Sequence, residues 1–372
     1  MATVGVGVAG FDHWYAALAA CEDAARDERC RLVAVAGAPT QLPEYARQRG
    51  AAFLGPDPLG VVAHPGVDVV VCAASSDRNP ALVAAAAERG KPVLSVKPMA
   101  HTEVAAQAVR AAVRRTGIPF FPLECQGRLR AADQRLRAWW GRGERLGPPL
   151  SALVVLRGSV PREDWPGHPV GQTWWTDPTR VPGGGWIDHA IYEVDFLRWA
   201  LGAEVEGVCG AVATRKHPEL AVEDFGLATL SFAGGVVAAL EVTWHGTRGA
   251  GAGTRQFVGV RGQILASLPG TKGWLLAEEE GETPGWRPEA PPAGGRSPLA
   301  HMVDHLSGGV PLAAGVEDGL ANLRACLAFY RAAAGGGAAS GGGAASGGEA
   351  LSAASGAGGA SSAGRAAVHG DG

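Results

Sequence analysis

The sequence has six cysteines (Cys21, Cys30, Cys72, Cys125, Cys209 and Cys326), none of them in CxxC spacing. Neither a zinc knuckle nor a disulfide scaffold is therefore expected. Charge of one sign is also lacking: 33 Lys+Arg against 36 Asp+Glu leave a formal net charge of -3, with no basic surplus to neutralise a phosphate backbone. No nucleic-acid partner is expected. Apolar stretches such as Val67 to Ala74 fall well short of the roughly 18 to 20 residues that a spanning helix needs. The opening MATVGVGVAG has no basic region and reads straight into a strand, so no secretion signal and no membrane span are expected. A reducing, cytoplasmic setting fits the scattered thiols. His301 and His305 sit four apart in HMVDH, but no Glu follows His301 as a metalloprotease helix requires, and no metal site is expected.

What the chain does have is 372 residues, enough for two domains and a tail at roughly 100 to 200 residues per domain. Up to about Leu123, β-rich apolar runs (Thr3 to Ala9, Arg31 to Ala36, Val67 to Ala74, Pro92 to Val96, Pro119 to Leu123) alternate with helical stretches that end in Gly or Pro. That alternation predicts a doubly wound parallel sheet, the Rossmann arrangement, over residues 1–124. A linking helix is predicted over Arg128 to Trp140. Strands separated by turn residues follow, with helices at Trp186 to Leu201 and Val316 to Ala333. Residues 125–333 thus read as an α+β domain built on an open, mostly antiparallel sheet. From residue 334 to 372 the composition collapses to Ala, Gly and Ser, which cannot bury enough apolar surface to offset chain entropy, and disorder is expected.

The first strand ends in glycines at a helix start, where backbone N–H groups and the helix dipole can hold a pyrophosphate. Gly5-x-Gly7-x-x-Gly10 formally matches GxGxxG, but Gly5 and Gly7 lie inside the strand, so the functional turn starts at Gly10. Its second glycine is Asp12. A carboxylate about 4 Å from a phosphate costs on the order of 1 to 4 kcal/mol, so Asp12 is expected to turn away and cap the helix from His13. After the second strand, the acidic residue that would bind a ribose is replaced by Gly37.

Further on, Val67-Asp68-Val69-Val70-Val71-Cys72-Ala73-Ala74 and Gly90-Lys91-Pro92-Val93-Leu94-Ser95-Val96-Lys97-Pro98 resemble the "VDAVVIATP…GKHVLCEKP" core of the Gfo/Idh/MocA oxidoreductases. The stretch Gly183 to Trp199 resembles that family's "GGG…DxGxHxxDxxxW" helix. The resemblance covers nearly everything from Thr3 to Ala333 and marks the chain as a divergent member: Val96, Ser76 and Tyr192 stand where the family has Glu, Asn and its usual catalytic His, beside Asp12 and Gly37. It implies an NAD- or NADP-dependent dehydrogenase or reductase of sugars, polyols or related small molecules, commonly oligomerising through the C-terminal sheet. An NAD-dependent glycosidase and a non-catalytic sugar- or nucleotide-binding member are the alternatives.

On this reading the cofactor would touch Gly10, Phe11, Asp12 and His13, then Gly37, then Ala74, Ser75 and Ser76, and finally Lys97 and Gln126. Lys97, at the carboxyl edge of the sheet, would hydrogen-bond the oxygen of the carbon that exchanges hydride. Asp188 and Tyr192 are four apart on one helical face, Asp188 positioning the lysine and Tyr192 acting as acid/base once the Lys97 charge has lowered its pKa. His189 lies about 100° round that helix from Asp188 and reads as a structural histidine. Ten of the 11 tryptophans follow Ala138. Trp165, Trp174, Trp175 and Trp186 flank the Gly183–Gly185 loop, where they could stack on a sugar ring or pack the loop on the sheet.

Overall fold

The computed structural model describes residues 3–267, 273–279 and 285–336. The first unit runs β1 (Val4–Ala9), α1 (Trp14–Arg26), β2 (Cys30–Ala36), α2 (Leu42–Gln48), β3 (Ala52–Phe53), α3 (Leu59–Ala63), β4 (Val69–Cys72), α4 (Asn79–Glu88), β5 (Val93–Ser95), α5 (Glu103–Thr116) and β6 (Phe120–Pro122). The strands form one parallel sheet in the order β3-β2-β1-β4-β5-β6. Helices cover both faces, so β4 is buried at all four positions, which is why its sequence is continuously apolar rather than alternating. Helix α5 shows how local chemistry sets the ends. The Thr102 side chain accepts from the Ala105 N–H, Gly117 closes the helix at φ 71°, and Ala106, Val109, Ala112 and Val113 form its buried stripe. The short β3 and α3 escaped the sequence reading, being too brief to show a period.

The second unit begins with a 3₁₀ turn at Leu123–Leu129, α6 (Ala131–Leu136) and a wide turn at Arg137–Gly141, where one helix was expected. Then come β7 (Pro149–Arg157), β8 (Glu163–Trp165), β9 (His168–Pro169), α7 (Gly185–Leu201), β10 (Val205–Ala213), β11 (Phe225–Phe232), β12 (Val237–Thr243), β13 (Ala252–Gly259), β14 (Gly262–Ser267), β15 (Trp274–Glu278), β16 (Arg287–Glu289), α8 (Pro298–Leu306) and α9 (Val316–Gly336). Eight strands pair in the order β10-β11-β12-β7-β13-β14-β15-β16. Every pair is antiparallel except β12 with β7. In β12, Ala238, Leu240 and Val242 alternate inward onto α7, while α9 covers β10, as a sheet covered on one face requires. Helix α9 continues through residues 334–336, three positions into the segment expected to be disordered; the remainder, 337–372, lies outside the described residues. Among the described residues no helix is long and apolar enough to cross a membrane.

The ribbon β8-β9 pairs only with itself. With the turn at Trp174–Thr176 and the loop to Pro182, it leaves the second unit and lies across the carboxyl edge of the parallel sheet. That edge, between β1 and β4, is where the strand order reverses, the place at which open α/β sheets take ligands.

Candidate functional site

Lys97 follows β5 and is 2% exposed. Its ammonium donates to the Asp188 carboxylate at 2.5 Å and to the Asp188 carbonyl, and stands over the rings of Trp175 (4.3 Å) and Tyr192 (5.3 Å). Burial pulls its pKa below the ordinary lysine range, against the Asp188 charge, which holds it up. Asp188, in the first turn of α7, is 4% exposed. Its second oxygen accepts from the Trp244 indole at 3.0 Å and lies 3.1 Å from Nδ1 of His189. Burial alone would raise this carboxyl, but Lys97 and His189 outweigh it and hold Asp188 well below the usual carboxylate range. It is a fixed anion, suited to positioning and unsuited to accepting a proton.

Lys97, Asp188 and Tyr192 thus come together, but the expected tuning of Tyr192 does not appear. Burial and the negative charges of Asp188 and Glu124 push the phenol well above its ordinary range. The ammonium faces the ring of Tyr192, where a cation is attracted to the π face and does little for the hydroxyl. His189, expected to be structural, has about half its side chain exposed. With Nδ1 held by Asp188, its ring lines a cleft of about 530 Å³ together with Lys97, Trp14, Tyr15, Trp175 and Tyr192. Residues 188 and 189 start from different faces of α7, yet the Asp188 carboxylate comes within 3.1 Å of the His189 ring.

A second cavity of about 150 Å³ adjoins Lys97 and Tyr192, walled by Val96, Leu94 and Ala16 and reached by Gln126 and His13. The valine that replaces the family's glutamate is therefore part of an apolar wall. His13 is fully buried with Nδ1 3.0 Å from the Ala74 carbonyl and Nε2 2.8 Å from that of Lys97. Burial and the Lys97 charge lower its pKa to about 3, so at neutral pH the ring is uncharged and donates to only one of the two carbonyls.

The other end of the crevice differs. Gly10, at φ 94°, lies so close to Ala74 that a Cβ would come within 2.7 Å of its backbone nitrogen. Asp12 does not cap α1; it reaches across and accepts from the Ser75 N–H at 2.8 Å, an internal anion on a donor that a phosphate would use. Phe11 rests on Gly37, where a Cβ would meet its ring at 3.1 Å, and Trp165 stacks on Phe11 at 6.1 Å. Trp174 donates to the Asp12 carbonyl at 3.1 Å, Arg180 donates to the Ser75 hydroxyl at 2.6 Å, and the Ser76 hydroxyl donates to the Arg180 carbonyl at 2.7 Å. Gly10, Phe11, His13, Gly37, Ala74, Ser75 and Ser76 are consequently all buried. A cavity of about 150 Å³ opens beside Lys97 and Gln126, whereas Gly10, Gly37, Ser75 and Ser76 are covered by side chains of the same molecule.

Of the four tryptophans singled out from the sequence, Trp175 walls the cleft, Trp165 and Trp174 pack on the first unit, and Trp186 is core against Phe329. Trp244, Tyr15 and Arg180 gave no sequence signal, because their partners are distant in the chain. His301 accepts from the Ala313 N–H at 3.0 Å.

Residues 1–122 match the family description "Oxidoreductase family, NAD-binding Rossmann fold", and residues 142–275 match the "GFO/IDH/MocA C-terminal domain". The chain is 28% identical to a 1,5-anhydro-D-fructose reductase of Ensifer adhaerens over 332 residues, 82% of this chain and 91% of that protein. It is 28% identical to inositol 2-dehydrogenase 2 of Saccharopolyspora erythraea over 169 residues, 45% of this chain; the match spans only 44% of that relative. An aldose-aldose oxidoreductase from Caulobacter crescentus shares the fold at a TM-score of 0.76 and 23% identity, covering 90% of this chain and 98% of the other. The chain belongs to the GFO/IDH/MocA family of oxidoreductases with an NAD-binding Rossmann domain.

Proposed function

We propose that this protein is a nicotinamide-dependent dehydrogenase or reductase of a sugar, polyol or related small alcohol or ketone. The observation that carries the reading is a buried ammonium, Lys97, fixed by Asp188 at the floor of a cleft with aromatic walls. The names of the relatives, an anhydrofructose reductase and an inositol dehydrogenase, support the substrate class. NAD or NADP, when bound, gives or takes the hydride, with Lys97 and Gln126 at its nicotinamide end. Lys97 would hold the oxygen of the reacting carbon, stabilising it as alkoxide or polarising it as carbonyl. Trp14, Tyr15 and Trp175 offer apolar faces to the sugar ring.

For the proton, His189 is the better candidate. With Nδ1 3.1 Å from the Asp188 carboxylate, the tautomer protonated there would leave Nε2 as the ring's acceptor, the logic by which a buried carboxylate orients a catalytic imidazole elsewhere. Tyr192, with its raised pKa, would serve as a wall and as a cation–π partner of Lys97.

The outer face of the eight-stranded sheet exposes Leu153, Leu227, Val237 and Leu275, which favours a homo-oligomer through that sheet; sedimentation mass in solution tests it. The function itself is tested by following NADH and NADPH absorbance over a panel of hexoses, inositols and their keto forms. Turnover on at least one, lost in Lys97→Met, is expected; no turnover on any would remove the reading.

A further inference from the structure

We infer that the segment from Glu163 to Arg180 is a strap that occupies the cofactor crevice of its own chain, and that NAD or NADP enters only when the strap lifts. The inference rests on the oxidoreductase reading above and concerns how that same site is regulated.

The strap ties down the turn after β1 and the loop after β4, the two segments that frame the crevice. From the strap, Arg180 donates to the Ser75 hydroxyl, its carbonyl accepts from Ser76, Trp174 donates to the Asp12 carbonyl and Trp165 stacks on Phe11, so that Asp12 on the Ser75 N–H and Phe11 over Gly37, both of the first unit, are held down from outside. Further anchors are the Trp14 indole donating to the Glu163 carbonyl at 2.9 Å and Arg180 pairing with Asp77 at 3.3 Å. A ligand that used the Ser75 and Ser76 hydroxyls or the space of the Trp165 ring would exclude the strap, so those two states are alternatives.

The strap is also built to separate. It contains only a three-residue and a two-residue strand, paired with each other, and one turn of 3₁₀ helix. Its buried members Trp174 and Trp175 belong to a small cluster with Val160, Val181, Val222 and Trp244, apart from the two main cores. Its links to the first unit are hydrogen bonds, the Arg180–Asp77 pair, aromatic edges and one partly buried ring, Trp165, packed on Phe11, each individually weak. Because Trp175 is both a strap residue and the ring beneath the Lys97 ammonium, lifting the strap also loosens the catalytic lysine. Cofactor entry and the state of the substrate cleft are thereby coupled.

When the binding-competent state is a minor fraction, the apparent Kd rises by the inverse of that fraction. Weakening the strap should therefore tighten binding without adding any contact to the ligand. The test titrates the full chain and the double variant Trp165→Ala/Arg180→Ala with NADH and with NADPH, read by energy transfer from tryptophan, after thermal melts show that both are folded. The single variant Arg180→Ala, at a half-exposed position, stands in if the double variant is not. The expected result is a Kd at least tenfold lower in the variant for the cofactor that binds. Limited trypsin digestion should also cut faster after Arg162 or Arg180 when cofactor is added to the unmodified chain. Equal affinities, with no change in proteolysis, would overturn the strap while leaving the oxidoreductase reading intact. If neither cofactor binds either folded protein, the strap is not what keeps the nucleotide out, and the oxidoreductase reading falls with it.

Discussion

The two ends of one crevice have been treated differently in this chain. At the Lys97 end, the ammonium is buried yet faces an open cleft, and Lys97 and Trp244 donate to the Asp188 carboxylate with the His189 ring 3.1 Å away. At the other end, Gly10, Ser75 and Ser76 line the same crevice, but side chains of the same molecule cover them. The difference teaches that a motif can survive in the backbone while its availability is decided elsewhere. The glycine and serine positions report a site's ancestry, and the tryptophans and arginine of a distant loop report whether it is open.

The largest effect belongs to the open end. Lys97→Met should lower kcat by about 10³-fold, the scale of a lost charge-stabilising donor, and should lower the thermal midpoint, because breaking a buried pair costs about 3 to 5 kcal/mol. Steady-state kinetics and calorimetry check both; near-normal turnover would remove Lys97 from the chemistry. Next, His189→Ala should lower kcat by about 10²-fold, the size of a general acid/base contribution. Tyr192→Phe should leave kcat within a few-fold. The reverse order would restore the proton to Tyr192.

Glu124 sets a pH-dependent effect behind the same end. Both its oxygens are buried without a hydrogen-bond partner, and burial raises its pKa to about 8 from an ordinary 4.5. The native state therefore holds a proton that the unfolded chain has already lost, and stability falls as pH rises from about 4.5 to about 8. Glu124→Gln should raise the thermal midpoint at pH 9 and change it little at pH 4. His13 acts in the opposite direction. Its pKa of about 3 against 6.5 means that the unfolded chain binds the extra proton, so stability is lost as pH falls from about 6.5 towards 3.

The smallest expected effect tests the covered end. Gly37 neither binds ribose hydroxyls through a carboxylate nor repels a 2′-phosphate, so NADH and NADPH should differ in Kd by less than about tenfold, or roughly 1.4 kcal/mol. A thousandfold preference, measured by titration, would mean that another residue reads the ribose once the strap lifts.

The first sheet was legible because both of its faces are buried. Continuous apolar strands and amphipathic helices such as α5 write their own boundaries, and the glycine at residue 117 marks a helix end by backbone conformation alone. The antiparallel strands showed through their alternation. The helix expected over 128–140 broke into three kinds of turn, since periodicity does not distinguish a continuous helix from a wound and rewound one. At the site, Lys97 and Asp188 were readable from spacing. Which way Tyr192 would be tuned was not, because its shift comes first from burial and then from the charges of Asp188 and of Glu124, which lies in another element.

The sequence by itself determined the two sheets, the place of Lys97 at a strand end and the absence of an acid at residue 37, each a property of local pattern. Only the tertiary structure decided that Phe11 would lie on that glycine, that Asp12 would bind Ser75 instead of capping its helix, and that Arg180 and Trp174 would cross from the second unit to cover them. Those contacts join residues up to 162 positions apart, and no local preference encodes a meeting whose partners are chosen by how two folded surfaces fit.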